Sequence, residues 1–396
     1  MQPLILTALA TANPVGLGLP ALAEALVSGR SGLRYNDFER ADLDTWIGRV
    51  DGLEDEPVAT ALAEFDCRNN RLAQLGLHQD GFVSAVADAR RRYGEHRVAV
   101  LVGTSTSGIF ETELGYQARD PANGSLPSTL RLRFSHNILS VAEFVRRTLG
   151  LRGPTVAVST ACSSSAKVFA SAERYIRTGL CDAAVVGGVD SLCLTTLHGF
   201  SSLQLTSSQP CRPFDAARSG ISIGEAAGFA LLEKSGAGDV MLMGYGESSD
   251  AYHMSSPHPE GEGALLAMRE ALQQAQLSPA DLDYINLHGT ATPANDRTEE
   301  RAVLRLFGDH GQTASCSSTK GWTGHTLGAA GMIEAIVCAL CLRQGLIPGT
   351  LNTVTLDPEF RARIVLAPER RPLRHALSNS FGFGGSNCSL VFGRAL

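Results

Sequence analysis

The chain carries no excess of basic residues: 34 Lys and Arg stand against 40 Asp and Glu, a net charge of −6 over 396 residues. Binding to nucleic acid draws on a cationic surface, so a general affinity of that kind is excluded, while a local basic patch stays open. Charged residues are scarce at 19% and hydrophobic ones make up 44%, a composition that supports a large buried core and excludes disorder. Paired C-x-x-C units, His-x-x-His and His-Glu-x-x-His spacings are all missing, so no metal is expected. The nine cysteines are odd in number and scattered, which excludes a disulfide framework and points to reduced thiols in the cytoplasm. No Lys or Arg precedes Arg30, so residues 4–12 read as a buried first strand running into a turn at Asn13 and Pro14, not as a secretion leader. Nor does any segment reach about 18 uninterrupted apolar residues. Residues 327–342 come nearest and carry Glu334 in their middle, so no membrane span is expected.

What the chain has is length and glycine. At about 150 residues per domain the length suggests two units, and 41 glycines without a collagen period must serve tight turns and close backbone approaches. Short apolar runs at 97–103, 155–160, 183–189 and 284–288 alternate with helical patterns, the signature of an α/β fold with parallel strands. The helix at 163–178 places Val168, Phe169, Ala172, Tyr175 and Ile176 on one face, so one-sided packing is expected. The helix at 328–344 is apolar all round and should lie deep between layers. A repeat is visible as well: Gly103-Thr104-Ser105-Thr106 after one strand matches Gly289-Thr290-Ala291-Thr292 after another, and each half has a helix closing on Arg-x-Gly. Two similar halves, 1–236 and 237–396, follow.

Cys162 sits where a strand turns into a helix, among Ser159, Thr160, Ala161, Ser163, Ser164 and Ser165. Free N–H groups and the positive end of a helix dipole favour a thiolate there. Cys67, Cys181, Cys193, Cys211 and Cys316 read as structural, as do Cys338 and Cys341 inside the apolar helix. His288 and His325 lie in glycine- and threonine-rich turns at strand ends, where neutral imidazoles could donate to a developing oxyanion or enolate. Glu334, within the buried helix, needs a partner; Lys320 is the candidate, and the pair would hold the loop of His325. Residues 379–387, between strands at 376–378 and 388–392, form a glycine-rich turn that can aim N–H groups at an anion.

Taken in order, TACSSS at 160–165, PFDAARSG at 213–220, HGTATPAND at 288–296, KGWTGHTLGAAG at 320–331 and NSFGFGGSN at 379–387 resemble the β-ketoacyl-[acyl carrier protein] synthases of types I and II. The resemblance spans nearly the whole chain. It implies a thiolase-like fold of five αβαβα layers from two duplicated halves, and a dimer. It makes Cys162 the nucleophile that takes an acyl chain as thioester, with His288 and His325 holding the malonyl thioester carbonyl during decarboxylation. Lys320 and Glu334 match the family's supporting pair, and Asp296 and Glu299 its acidic residues after the first histidine motif. The backbone N–H groups of Cys162 and Phe383 match the oxyanion hole, with Phe383 also in the gating position. Neither metal nor organic cofactor is implied, because departing carbon dioxide makes the carbanion. The partners implied are acyl- and malonyl-loaded carrier protein and either a second copy or a chain-length-factor-like homologue.

His325 separates the chain from the type III synthases, which have asparagine there. Thiolases use a second cysteine, for which Cys388 is the one candidate, separated from the glycine pair by two residues and in an expected strand. Chain-length factors lack the nucleophile that Cys162 supplies, and a non-catalytic scaffold of that kind is the alternative reading. Ser219, Ile221 and Ala226 depart from the fatty-acid enzymes and look more like the ketosynthases of aryl polyene clusters. Substrate is expected to bind Gly108, Ile109, Phe200, Thr290, Thr292 and Gly384, with the acyl pocket drawing on Gly108, Ile109 and the helix after Phe134. Arg68, Arg71, Arg131 and Arg133 are the expected contacts for an acidic carrier.

Overall fold

Ten of the strands, most of them apolar on both faces, build two five-stranded sheets that join edge to edge in the protein, whose computed structural model describes residues 1–308 and 313–395. In the first half these are β1 (Leu4–Asn13), β2 (Val98–Gly103), β3 (Thr155–Val158), β4 (Ala183–Asp190) and β5 (Ala226–Glu233); in the second, β6 (Val240–Ser249), β7 (Tyr284–Asn286), β8 (Ser315–Ser317), β9 (His375–Gly382) and β10 (Ser386–Arg394). The first five lie in the order β3-β2-β4-β5-β1 and the second five in the order β8-β7-β9-β10-β6. Each half therefore repeats one topology, third-second-fourth-fifth-first. The pairing types repeat too: β2 is parallel to β3 and β4, while β5 runs antiparallel to β4 and β1. In the second half β7 is parallel to β8 and β9, and β10 runs antiparallel to β9 and β6. The halves join where Leu4 and Ile5 pair with Leu242 and Met241.

Helices fill three layers around these sheets. On the outside of the first sheet lie α1 (Arg68–Leu77), α2 (Phe82–Tyr93) and α4 (Ser140–Thr148), while α3 (Ile109–Gln117) packs on α6 (Leu194–Ser202). Outside the second sheet lie α7 (Glu262–Ala275) and α8 (Pro293–Phe307). Between the sheets run α5 (Ser164–Arg177) and α9 (Ala330–Gln344), each following the third strand of its half and each touching strands of both sheets. The result is the five-layered αβαβα arrangement of a thiolase-like fold.

The middle layer explains two features of the sequence. Leu327–Gln344 is long and apolar enough to cross a membrane by length and composition, with a mean hydropathy of 1.5, yet it is buried inside the protein; two sheets take the place of lipid. Contact on both sides also corrects the expectation of one-sided packing for the other central helix. Ser165, Ala166, Ala170 and Glu173 of α5 are buried in addition to Val168, Phe169, Ala172 and Ile176, and only Tyr175 of the expected face is half-exposed.

Layers this close leave no room for side chains at some positions. A methyl group on Gly103, at the end of β2, would come within 2.4 Å of the Ser165 nitrogen at the start of α5. Gly103→Ala should therefore cost about 1–3 kcal/mol through overpacking, read as a lower urea midpoint with unchanged slope. An unaltered midpoint would mean that the layers can part.

Candidate active site

Each half delivers its chemistry at the carboxyl ends of its strands. The chain leaves β3, passes Ala161 in the left-handed region (φ +51°) and enters α5. That bend places Cys162 just before the helix, 5% exposed. From the second half, His288 follows β7 and His325 follows the short helix Lys320–Thr323. His325 Nε2 lies 3.1 Å from Cys162 Sγ, the two imidazole rings meet edge to face at 5.2 Å, and one ring nitrogen of each lies with the sulfur inside 4.8 Å.

Hydrogen bonds decide what these rings can do. The Leu327 N–H donates to His325 Nδ1 at 3.2 Å, so a neutral His325 carries its proton on Nε2, facing the sulfur. Nδ1 of His288 faces the Lys320 ammonium at 3.4 Å, which again leaves the proton on Nε2. Burial holds both imidazoles well below their ordinary pKa, with Lys320 adding to it in each case. Two neutral N–H donors therefore converge on the space beside one thiol. Cysteine and two histidines are also the ligand set of a thiophilic metal. A metal-bound imidazole, however, normally donates its other N–H outward, whereas here both Nδ1 atoms accept. The ring orientation suits donors.

Lys320 holds the second half of this arrangement together. Its ammonium donates to the His288 carbonyl and to Glu334 Oε1, all three residues being buried. The expected pair is thus present, joining the two ends of the segment that carries His325, and its ammonium holds His288 as well. Burial pushes the Glu334 carboxyl up to about 7 against the pull of Lys320. Glu299 accepts from the N–H groups of His288 and Gly289 at 2.7 Å each, and burial raises it to about 7 as well. Asp296 accepts from Phe214 and Ala291 N–H. These two acids shape the backbone of the histidine turn.

Burial opposes the thiolate that the helix terminus favours. It raises the Cys162 thiol to about 11, and neither Lys320 nor the Phe383 N–H, both of which lower it, offsets that. At neutral pH only about one molecule in 10⁴ is ionised. Gly382 brings the β9–β10 turn against the Cys162 backbone, where a methyl group would lie 3.3 Å from its nitrogen. The strands on either side of that turn run on to Gly382 and from Ser386, which is longer than expected.

A cavity of about 400 Å³ leads to the three residues. Phe200, Thr290, Thr292, Phe383 and Gly384 line it, and the rings of Phe200 and Phe383 lie 5.4 Å apart. Leu203, Leu205, Ile221, Asp250 and Pro257 line it as well; of these the sequence had drawn attention only to Ile221. Gly108 and Ile109 do not. Gly108 packs against Ser135 and Cys67, and α4, the helix after Phe134, packs on the outer face of the first sheet. Arg68 is likewise no surface contact. It is 7% exposed and bound to Glu225 and Glu54, because α1 turns it inward. Arg71 is held by Asp66 through two hydrogen bonds, while Arg131 and Arg133 are exposed. Cys388, Cys338 and Cys341 are all buried within secondary structure.

Two duplicated sheets that close on one thiol and two imidazole donors define a thiolase-like acyl-transfer fold. The family description "Beta-ketoacyl synthase, N-terminal domain" matches residues 1–237, and "Beta-ketoacyl synthase, C-terminal domain" matches residues 240–354. The chain belongs to the β-ketoacyl synthase family. It is 34% identical to 3-oxoacyl-[acyl-carrier-protein] synthase 2 of Vibrio harveyi over 98% of this chain and 97% of that protein. With nodulation protein E of Rhizobium meliloti it shares 39% over 75% of each. Among solved structures, a chain of the ketosynthase (ApeO) in complex with its chain length factor (ApeC) from Xenorhabdus doucetiae is 38% identical. That match covers 100% of this chain and 98% of the other, with a TM-score of 0.88.

The charges around the sulfur give a test of sign. Alkylation by iodoacetamide should rise nearly tenfold per pH unit from 7 to 10, since each unit multiplies the thiolate about tenfold below its pKa. Lys320→Met removes the stabilising cation and should slow alkylation at fixed pH; Glu334→Gln removes an opposing anion and should speed it. A rate independent of pH would mean that the thiol is already ionised.

Proposed function

We propose that this chain is a β-ketoacyl-[acyl carrier protein] synthase that extends an acyl chain by two carbons through decarboxylative Claisen condensation. The observation that carries the reading is the convergence of two imidazoles from the other half of the chain on the Cys162 sulfur, His325 through Nε2 at 3.1 Å and His288 through a ring nitrogen within 4.8 Å. In the first half-reaction the sulfur attacks an acyl-carrier thioester. Its proton leaves with the released carrier thiol, and the N–H groups of Cys162 and Phe383 stabilise the tetrahedral oxyanion. A thiol near 11 suits this order, because it stays protonated until a substrate arrives to accept the proton. In the second half-reaction the malonyl thioester oxygen takes both histidine N–H bonds. The C–C bond to the carboxylate breaks with loss of carbon dioxide, and the electron pair left behind attacks the acyl carbon on Cys162. The C–S bond breaks, and the thiol is regenerated by uptake of one proton. No step calls for a metal or an organic cofactor. Phe200 and Phe383 act as the gate, and Thr290, Thr292 and Gly384 as the walls for the carrier-borne thioester.

We take the aryl polyene branch as the pathway; Ser219, Ile221, Ala226 and the likeness to the Xenorhabdus ketosynthase support it. The enzyme works as a dimer, with a second copy or a chain-length-factor-like homologue; β3 ends its sheet with a free, half-buried edge. Residues 1–236 and 237–396 are its two halves, a division supported by the repeated strand order. Its place is the cytoplasm, in keeping with nine free cysteines. Arg131 and Arg133, and no longer Arg68, are the contacts for an acidic carrier.

Cys162→Ala should abolish condensation, whereas Cys162→Gln should keep malonyl decarboxylation and lose elongation, both followed by mass spectrometry of the carrier. Undiminished condensation by the alanine variant would overturn the mechanism, and an inert scaffold would show neither acylation nor decarboxylation in the parent protein. Charge reversal at Arg131 and Arg133 should raise KM for the carrier severalfold at low salt, and the difference should shrink as salt screens it.

A further inference from the structure

Asp190 ends β4 in the first half, is fully buried, and touches none of the three reacting residues. Its carboxylate accepts from the Thr104 hydroxyl, the Ser105 N–H and both the N–H and hydroxyl of Thr106, and the Ser105 hydroxyl adds another donor. These bonds lie within the first half. One more crosses to the second: the Gly328 N–H donates to Asp190 Oδ2 at 2.5 Å. Gly328 follows Leu327, which is held in the left-handed region at φ +52°, a conformation that a branched residue adopts only when its surroundings impose it. The Leu327 N–H is the donor that fixes the His325 tautomer.

We propose that Asp190 is a positioning residue of the condensation reaction: by anchoring Gly328 it holds Leu327 in the conformation that keeps His325 Nδ1 an acceptor and Nε2–H aimed at Cys162. An unbroken line runs from the carboxylate through Gly328, Leu327 and His325 to the sulfur, so the first half sets the orientation of a histidine that the second half supplies. The packing is tight as well as hydrogen-bonded. A methyl group on Gly328 would lie 2.7 Å from Asp190 Oδ2 and 2.9 Å from the Ser105 nitrogen. Had Asp190 served only to brace the turn after β2, the five donors of that turn would have sufficed, and no link to the His325 loop would be needed. The inference rests on His325 acting as an N–H donor.

The test uses the full chain labelled with ¹⁵N-histidine, with the His325 signals assigned by their loss in His325→Ala. The parent protein should show a single Nε2–H tautomer. Asp190→Asn, which keeps size and shape but turns one acceptor into a donor, should mix the tautomers and lower kcat about 10- to 100-fold, the range seen when a group orienting a histidine is removed. KM for the carriers should stay within about twofold, as expected when binding is untouched. Gly328→Ala approaches the same contact from the other half and should give the same two changes, so the test survives if the asparagine variant fails to fold. Ser105→Ala removes a donor to Asp190 without touching Gly328, and should leave tautomer and kcat near the parent values. An unchanged tautomer in a folded Asp190→Asn or Gly328→Ala protein would overturn the proposal, as would Ser105→Ala falling as far as Asp190→Asn. A parent protein with no condensation activity at all would instead remove the reading on which it rests.

Discussion

One buried ammonium ties this active site together. Lys320 meets the His288 carbonyl, the His288 ring and Glu334 at a single point. Burying a cation there is costly unless each of its protons finds an acceptor. The carbonyl, the carboxylate and the imidazole nitrogen supply those acceptors, and each thereby acquires a fixed place. The same charge adds to the burial that keeps His288 neutral, and it lowers the Cys162 thiol against the opposing effect of burial. Position and protonation state at both ends of the site thus depend on one side chain.

The fold distributes the remaining tasks between its halves. The first half offers a nucleophile at a strained bend before a central helix; the second offers donors on turns that follow its own strands. Because both halves share one strand order, their carboxyl ends meet at the middle layer, and the reacting atoms lie on the seam. A residue that bridges the seam, such as Asp190, therefore has an influence that its distance from the chemistry would not suggest.

How much of this could be read from sequence depended on whether the signal was local. Cys162, His288 and His325 stood out because small residues and strand ends surround them in the chain itself. Lys320 and Glu334 could be paired because a carboxylate in an apolar helix demands a partner. The inward turn of Arg68 could not be read, since Glu225, its partner, is brought there only by the packing of α1 on the first sheet. The burial that opposes the thiolate was out of reach for a related reason: the helix terminus is visible in sequence, whereas the depth at which the two sheets bury it is not. Asp190 escaped notice because it closes an apolar strand, and its donors come from two distant turns. Gly108 and Ile109 were assigned to the cavity by resemblance alone, and the structure places Gly108 against Ser135.

The central helix has a further consequence before the protein is folded. Leu327–Gln344, unpaired with its sheets, is a segment that hydrocarbon could accept as readily as a protein interior. A single acidic charge near the middle of such a segment makes insertion into a bilayer cost about 3 kcal/mol. The carboxylate of Glu334 thus sets this segment apart from one that a bilayer would hold at no cost.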